Sequence, residues 1–343
     1  MKHLYEFRIF EEYASSLLKD NEGEKLGLVR KVIVDINDPL FKSIGDLNKE
    51  LKSKGKFLFS FFKPIYRYSK LELENTEIFK LNITGVFEPT GEECGTIYDE
   101  SMICPICKSG RKQISDLILD LRKVPKNKNI AKTLADNEIV IDQKLANLLI
   151  EKKLKGFELR PVKHKAYCKE EAIDLTKLKK GNELLKKAKD AGIDHHSWRF
   201  YVWLNQPEQS LLYEEMINEY ILLTNYSNYQ KISSIPKWYQ LNIISKPVKI
   251  ASNTKFGIDP FDEDKEGKYK CPNGHVSGLR ILSELSIEKD SWDGSDINLT
   301  ETMIGYRQGV YVPSPLITIS RKFYNLLNEY NIKGYEVERV HLL

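Results

Sequence analysis

The sequence lacks any apolar stretch long enough to cross a membrane. No segment approaches the roughly 18 uninterrupted apolar residues of a membrane helix, and the N-terminus, MKHLYEFRIFEEY, is charged where a signal peptide has its apolar core. We therefore expect a cytoplasmic protein with no membrane partner. An excess of one charge is missing too: 53 basic residues against 49 acidic residues leave a net charge of +4. That value is too small to indicate nucleic acid as a partner by itself.

Recognisable catalytic motifs are also missing. The sequence contains no glycine-rich phosphate loop, no Gly-x-Ser-x-Gly and no His-Glu-x-x-His. It also has no His-x-Glu paired with Pro-Cys-x-x-Cys, the pattern of nucleobase deaminases. The neighbours His195 and His196 would point in opposite directions on a strand, which is a poor arrangement for sharing a ligand. We therefore predict that the protein is not an enzyme.

Two segments of the chain are similar to each other. Residues 138–162 align without a gap with residues 316–340, and 11 of these 25 positions are identical. Each segment reads as strand, helix, strand, with Asp142 or Ser320 as the N-cap of the helix. A glycine, Gly156 or Gly334, follows each helix and suits the left-handed conformation found at helix ends. The pattern predicts two related scaffolds whose paired apolar positions form core.

The predicted fold class is α+β, with two copies of a zinc-knuckle/strand-helix-strand unit. The chain has 343 residues, of which 41% are hydrophobic, and this is enough for two domains or for one body made of two related halves. The predicted divisions are an N-terminal α+β portion at 1–90, a first repeat unit with a zinc knuckle at 91–170, a mainly helical intervening segment at 171–250 and a second repeat unit with a degenerate knuckle at 251–343.

Cysteine spacing indicates a metal site. Five cysteines are an odd number, which suits a metal in a reducing compartment better than a disulfide framework. Cys104 and Cys107 stand in CPICKSG, and a Cys-x2-Cys turn directs both sulfurs toward one zinc ion. We predict one structural Zn2+ bound within the first unit. Its predicted ligands are Cys94, Cys104, Cys107 and Cys168, with His164 as an alternative fourth ligand.

A second knuckle leaves another ligand set open. CPNGHVSG begins at Cys271 and places His275 four positions later. One site shared between the units would then use Cys104, Cys107, Cys271 and His275. The residue types and spacings allow both sets. The local set is favoured because Cys94 would otherwise have no role, and the second knuckle is then a copy that has drifted.

Charge is unevenly distributed along the chain. Residues 101–135 contain eight basic and two acidic residues, whereas residues 259–301 contain eleven acidic and five basic residues. The basic segment is either a solvated face or a surface for nucleic acid or an acidic partner. The nucleic-acid surface would use Arg111, Lys112, Lys126 and Lys128. The acidic segment is a candidate docking surface for a basic protein partner. Its candidate residues are Asp290, Trp292, Asp293 and Asp296, unless Trp292 instead anchors the loop to the core.

The order of these features resembles that of the double-CXXCG motif proteins of bacteria, which are related to immunity proteins that guard against polymorphic toxins. The resemblance covers residues 94–163 and 271–341: a knuckle, a strand, a capped helix, a glycine and a closing strand. CPICKSG departs from the family pattern because no glycine follows its second cysteine, and the second knuckle has Cys271 and His275 instead. The resemblance implies a zinc-containing, noncatalytic immunity protein whose partner is a protein toxin. The alternative is a zinc-ribbon nucleic-acid-binding protein in phage defence or regulation.

Overall fold

The computed structural model describes residues 1–101, 103–134, 138–165, 175–195, 237–269, 271–305 and 313–343, together with isolated positions between 200 and 219. Helices and sheets both occur, which confirms the α+β fold class. Within these described ranges, no helix has the length and apolar character needed to span a membrane.

The elements follow one another along the described chain in a strand-rich order. The strands are β1 (Lys2–Phe10), β2 (Glu24–Leu26), β3 (Val29–Asp35), β4 (Phe59–Arg67), β5 (Ile78–Ile83), β6 (Val86–Phe87), β7 (Tyr98–Asp99), β8 (Lys112–Gln113), β9 (Ile118–Leu119), β10 (Ile130–Thr133), β11 (Ile139–Asp142), β12 (Phe157–Pro161), β13 (Lys163–His164), β14 (Trp238–Ile243), β15 (Phe256–Asp259), β16 (Asp262–Glu263), β17 (Val276–Ser277), β18 (Arg280–Ile281), β19 (Leu285–Ile287), β20 (Ile297–Gly305), β21 (Ser314–Ser320) and β22 (Tyr335–Leu342). The helices are α1 (Glu11–Leu17), α2 (Pro39–Ser53), α3 (Lys70–Glu74), α4 (Gly91–Cys94), α5 (Gln143–Glu151), α6 (Lys179–Asp190) and α7 (Arg321–Glu329), and short 3-10 turns lie at Leu175–Lys177 and Lys289–Ser291.

The N-terminal portion forms an antiparallel sheet in the order β2-β3-β1-β4, here called the N-terminal sheet. Helix α2 begins after Asp38, whose side chain accepts a hydrogen bond from the backbone N–H of Leu40. This cap satisfies a donor that has no partner within the helix. Ile44 and Leu51 on α2 then pack with the sheet in one apolar cluster.

Two larger sheets contain the similar segments. The first sheet has the order β12-β14-β11-β10-β6, and the second sheet has the order β17-β20-β21-β5-β22-β19. In the first sheet β14 lies between β11 and β12 and is antiparallel to both. In the second sheet β5 lies between β21 and β22 in the same way. A strand-helix-strand segment leaves its two strands parallel, and here an antiparallel strand fills the gap between them.

The inserted strands hold corresponding registers. Phe157 pairs with Ile243 in the first sheet, and the aligned residue Tyr335 pairs with Ile83 in the second. Strand β5 precedes the first knuckle in the chain but belongs to the second sheet, while β14 precedes the second knuckle but belongs to the first sheet. Each sheet therefore depends on a strand from the other part of the chain, a long-range pairing that boundaries placed at 90 and 250 do not show.

One core connects the first and second sheets. Its buried members come from both: Phe79, Leu81, Ile83, Ile130, Ile139, Ile141, Leu145, Ala146, Leu148, Leu149, Leu154, Leu241, Ile297, Ile319, Phe323, Leu326, Leu327 and Ile332. Burial of this continuous apolar surface is the main favourable contribution to folding here. The two sheets are thus packed together rather than separated by a linker.

The predicted helix starts are confirmed, and the helix ends differ in one respect. Asp142 and Ser320 each accept a hydrogen bond from the backbone N–H three residues later. The left-handed residues that follow the helices are Lys153, with φ 51°, and Asn331, with φ 52°. The predicted glycines lie three residues further on, where the next strands begin.

Gly156 and Gly334 are required by close contacts as well as by conformation. Their φ values are 101° and 110°. A Cβ on Gly156 would lie 2.5 Å from the carbonyl oxygen of Ile297, and a Cβ on Gly334 would lie 2.1 Å from that of Ile130. Each glycine therefore allows a strand of one sheet to approach the start of a strand in the other sheet.

Candidate metal centre

The first knuckle, residues 104–110, is a tight turn closed by backbone hydrogen bonds. The N–H of Cys104 donates to the carbonyl of Ser109 at 2.9 Å, and the N–H of Lys108 donates to the carbonyl of Cys104 at 2.9 Å. Lys108 takes a left-handed conformation with φ 60°, and Gly110 has φ 96°. This tight turn brings Cys104 and Cys107 to one side, as the Cys-x2-Cys spacing predicts.

The second knuckle, residues 271–278, closes in a related way. The N–H of Cys271 donates to the carbonyl of His275 at 2.9 Å, and the N–H of Gly274 donates to the carbonyl of Cys271 at 2.8 Å. Gly274 has φ 79°, a conformation that glycine adopts without steric cost. The extra residue between Cys271 and His275 is thus accommodated within the turn.

The two knuckles bring four potential metal ligands together. One ligand atom from each of Cys104, Cys107, Cys271 and His275 lies within 4.8 Å of the other three. The sulfurs of Cys104 and Cys271 are 4.0 Å apart, and the sulfur of Cys107 is 3.2 Å from Nδ1 of His275. Bond lengths of about 2.3 Å to sulfur and 2.0 Å to nitrogen give tetrahedral edges of about 3.5–3.8 Å. These four residues could therefore bind a metal ion with little movement.

The surroundings of the cluster suit thiolate ligands. Cys104, Cys107 and Cys271 are buried, and His275 is half-buried. Ser109 Oγ lies 2.8 Å from the sulfur of Cys107, and Asn273 Nδ2 lies 3.4 Å from that of Cys104. Such outer contacts fix the orientation of metal ligands and stabilise negative sulfur. Sequence reasoning did not identify Ser109 and Asn273, although both lie inside the knuckles.

The two cysteines of the first knuckle differ in acidity. A hydrogen bond from the backbone of Cys107 lowers the pKa of Cys104 to about 6, although burial acts in the opposite direction. Burial raises the pKa of Cys107. Cys104 is consequently favoured as a thiolate near neutral pH, which is the form that binds metal. Metal binding at Cys107 would have to displace a proton.

Cys94 and His164, which were also predicted as ligands of the local set, lie elsewhere. Cys94 is buried at the end of α4. Burial raises the pKa of its thiol, although a hydrogen bond from the backbone of Asp120 acts in the opposite direction. His164 Nδ1 lies 3.3 Å from the carbonyl oxygen of Leu119, and burial lowers the pKa of His164. Neither residue belongs to the four-residue group, and Cys168 lies outside the described residues.

Among the described residues, the structure therefore brings the shared set together, whereas Cys94 and His164 lie apart from it. The deciding factor is tertiary: the knuckles are separated by 167 residues from Cys104 to Cys271, yet their sulfurs meet. Spacing within one knuckle gives no information about such a meeting. Comparisons with protein-family models, curated proteins and solved structures found no match for this chain.

The candidate docking residues fall into different environments. Asp290 is exposed. Trp292 packs against an apolar cluster and donates from Nε1 to the carbonyl of Ser295 at 3.0 Å, the position expected if it anchors the loop. Asp293 is exposed, but its carboxylate accepts the N–H of Ser295 at 2.9 Å. Asp296 is buried and accepts the N–H of Lys155 at 2.8 Å. Asp290 alone among these four combines exposure with no visible part in holding the loop.

The candidate nucleic-acid residues are similarly divided. Arg111 donates to Glu92 Oε2 at 2.7 Å, and its guanidinium lies 4.6 Å from the ring centroid of Tyr98. Lys112 and Lys126 are exposed, and Lys128 is half-buried. Arg111 therefore belongs to a structured network, while Lys112 and Lys126 are available to solvent.

Proposed function

We propose that Cys104, Cys107, Cys271 and His275 hold one structural zinc ion. The observation that carries this proposal is that four protein ligand atoms lie within 4.8 Å of one another in a largely buried cluster. Four protein ligands complete a tetrahedral zinc site, whereas a catalytic zinc keeps one position for water. Three sulfurs and one imidazole also suit zinc better than magnesium or calcium, which prefer oxygen.

The same proposal explains why the chain has two knuckles. We infer that the chain contains two copies of one unit and that each copy supplies half of a single site. Matching helix caps, matching registers around β5 and β14, and reciprocal contacts of Gly156 and Gly334 support this inference. In such an arrangement the second knuckle is a full partner, although its pattern differs from the first.

The identity of the metal is tested by substitution with cobalt. Zinc-free protein that is reconstituted with Co2+ should show the visible bands of a tetrahedral ion and the near-ultraviolet bands of cobalt-thiolate bonds, and added Zn2+ should displace the cobalt. As the control, Mg2+ is added to the cobalt protein in place of Zn2+ and should leave the cobalt spectrum unchanged. An octahedral cobalt spectrum without thiolate bands would contradict the proposal.

We propose further that the protein is a noncatalytic binding protein that neutralises a protein toxin. Three observations support this proposal: the metal cluster has four protein ligands, the sequence contains no recognisable catalytic motif, and the chain resembles the double-CXXCG motif proteins. A structural zinc that joins the two knuckles would stabilise a binding surface without taking part in chemistry.

Co-expression tests this function. The product of a neighbouring gene, if it is a toxin, should inhibit growth when expressed alone, and this protein should restore growth and co-elute with it on gel filtration. Asp290→Lys should weaken the complex if the predicted surface is used, with the exposed Glu12→Lys as the control. If Asp290→Lys does not weaken the complex, the interface lies on another surface of the protein. Failure of every neighbouring product to bind, with no rescue of growth, would contradict the immunity function.

Nucleic-acid binding is the second candidate because Lys112 and Lys126 are exposed in the basic segment. Binding to phosphates releases counterions, so affinity should fall steeply with added salt. The double variant Lys112→Glu and Lys126→Glu should flatten that dependence. A protein that does not retard DNA or RNA at low salt removes this candidate.

A further inference from the structure

A cavity of about 610 Å3 lies between the N-terminal sheet and the edge of the second sheet. Residues of β1 and β4 line it on one side, and residues of β22 and of the segment 282–286 line it on the other. Its volume is within the range of small-molecule sites, which are roughly 300–1,000 Å3. The cavity is separate from the four-residue metal cluster, because none of the four ligands lines it.

Three side chains of the cavity wall each have a buried polar atom without a hydrogen-bond partner. The atoms are Nε2 of His3, the hydroxyl oxygen of Tyr66 and Oε1 of Glu284. Within the described part of the chain, four side-chain atoms are of this kind, and three of them belong to this one wall. Buried polar atoms without a partner are costly and therefore few in native proteins. Their concentration here points to a site that a ligand completes.

The three side chains form one interacting group. His3 and Tyr66 are neighbours across β1 and β4, and their ring centroids are 4.6 Å apart. Burial lowers the pKa of His3, although the charges of Glu284 and Asp35 partly oppose this shift. A neutral imidazole is therefore favoured at His3, and its Nε2 can accept a hydrogen bond when the proton is on Nδ1.

The carboxylate of Glu284 is not neutralised by a permanent cation. Among the residues that the structure describes, the two cations of the wall are paired with other carboxylates: the terminal ammonium of Met1 at 2.7 Å and Lys255 at 3.3 Å. The side chain of Glu284 is 11% exposed, and its Oε2 lies 2.9 Å from Nε2 of His341. Burial raises the pKa of the neighbouring Tyr68, and the contact of its hydroxyl with Glu284 adds to this shift. Since a hydroxyl does not cancel a carboxylate's charge, Oε1 of Glu284 favours a positively charged donor.

Aromatic and apolar side chains complete the wall. The rings of Tyr5 and Phe41 are 5.5 Å apart, and the hydroxyl of Tyr5 is satisfied because it donates to the carbonyl oxygen of Leu282 at 3.0 Å. Aromatic faces attract cations and also bury apolar groups. The wall thus suits a cation that is attached to an apolar body.

We propose that this cavity binds a small organic amine in its ammonium form. A primary ammonium group has three N–H donors and no acceptor, and Oε1 of Glu284, the hydroxyl of Tyr66 and Nε2 of His3 can each accept one of them. The apolar part of the amine lies against Tyr5 and Phe41. Because the three acceptor atoms are shielded from bulk water, small side-chain rotations admit the ammonium group, and such rotations are fast.

Calorimetric titration of the zinc-loaded protein tests this proposal with three probes of one size class. Benzylamine should bind with a dissociation constant in the millimolar range or below. Benzyl alcohol lacks the charge and should bind at least about tenfold more weakly. Benzyltrimethylammonium keeps the charge but has no N–H donor, and it should be weaker by a similar factor. If benzylamine does not bind, or if either of the other probes binds equally well, the proposal is wrong.

Two variants locate the site. Glu284→Gln keeps the size of the side chain and removes its charge, so it should weaken benzylamine binding at least about tenfold. Tyr66→Phe removes only a hydroxyl that has no partner among the described residues. It should therefore leave the midpoint of thermal unfolding unchanged or higher, and it should weaken benzylamine binding at least about fivefold. The exposed Glu288→Gln is the matched control and should bind as the unaltered protein does.

The outcome is independent of the zinc site. Zinc content should be the same in both variants and in the control, because none of these residues belongs to the metal cluster. If Glu284→Gln does not fold, Tyr66→Phe decides the matter alone. Unchanged benzylamine binding in either folded variant would overturn this site without affecting the proposed function.

Discussion

The first and second sheets share a framework and differ in what they place on it. Both contain a capped helix between parallel strands, and both insert an antiparallel strand from the other part of the chain. Lys132 and Glu138 in the first sheet correspond to Leu299 and Leu316 in the second, as the strand registers and the aligned segments show. The difference shows that the framework is specified by backbone pairing and caps, which leaves the side chains at these positions free to diverge.

The two knuckles teach a related lesson. Their patterns differ, as Cys-x2-Cys and Cys-x3-His, and from the sequence alone this difference indicated decay of one copy. In the folded chain each knuckle supplies two ligand atoms to one cluster. A tetrahedral metal site would need only two ligands from each knuckle, and the second knuckle offers them in Cys271 and His275.

The largest expected effect among single changes in the framework is at the reciprocal glycines. Gly334→Ala should destabilise the protein by about 3 kcal/mol or more, because its Cβ would lie 2.1 Å from a carbonyl oxygen at φ 110°. Gly156→Ala should cost somewhat less, since its contact is at 2.5 Å. Urea unfolding measures both.

Gly55→Ala is the control for these glycines. Its φ is 68°, yet a Cβ there would meet nothing within 4 Å, so it should cost only about 1 kcal/mol through conformation. Equal losses at Gly55 and Gly334 would show that backbone conformation alone, and not the contact between sheets, explains the requirement for glycine.

A smaller effect should separate two residues of one predicted docking surface. Trp292→Ala should lower the free energy of unfolding by about 2 kcal/mol, because the ring packs on an apolar cluster. Asp290→Ala should change it by less than about 0.5 kcal/mol, because Asp290 is exposed. Thermal unfolding of both variants checks the difference, and a neutral Trp292→Ala would make that residue a docking candidate again.

The smallest effect concerns the helix caps and should be the same in both sheets. Asp142→Ala and Ser320→Ala each remove a side-chain acceptor from the first turn of a helix. Each should cost about 1 kcal/mol in unfolding free energy. Asp142→Asn and Ser320→Thr retain an acceptor and serve as controls. A loss at one cap with none at the other would show that the two frameworks are less alike than their hydrogen bonds indicate.

Local features of the fold could be predicted from the sequence because their causes are local. Strand, cap and helix follow from β-branched runs, Asp142 or Ser320, and apolar spacing, and the structure confirms them. The exchange of β5 and β14 could not be predicted in this way, since strand pairing joins distant residues. A signal for it exists in the shared Leu-Asn-Ile of residues 81–83 and 241–243.

The candidate site was predictable only in part for the same reason. Both knuckles were recognised, and all four clustered residues were among the candidates, but the local set with Cys94 and Cys168 was preferred because Cys94 would otherwise have had no role. A cavity between the first and second sheets gave no sequence signal, because its polar lining residues, among them Asn82, Lys132 and Gln240, are far apart in the chain and come together only in the folded protein.

The zinc content of two purified variants tests the central claim, that both knuckles form one site, most directly. The account predicts that Cys271→Ser loses its zinc and, with it, at least about 4 kcal/mol of stability if free zinc stands 1,000-fold above the dissociation constant. Cys94→Ser, an equally buried cysteine outside the cluster, should retain one zinc per chain. Full zinc in Cys271→Ser together with loss of zinc in Cys94→Ser would contradict the shared site.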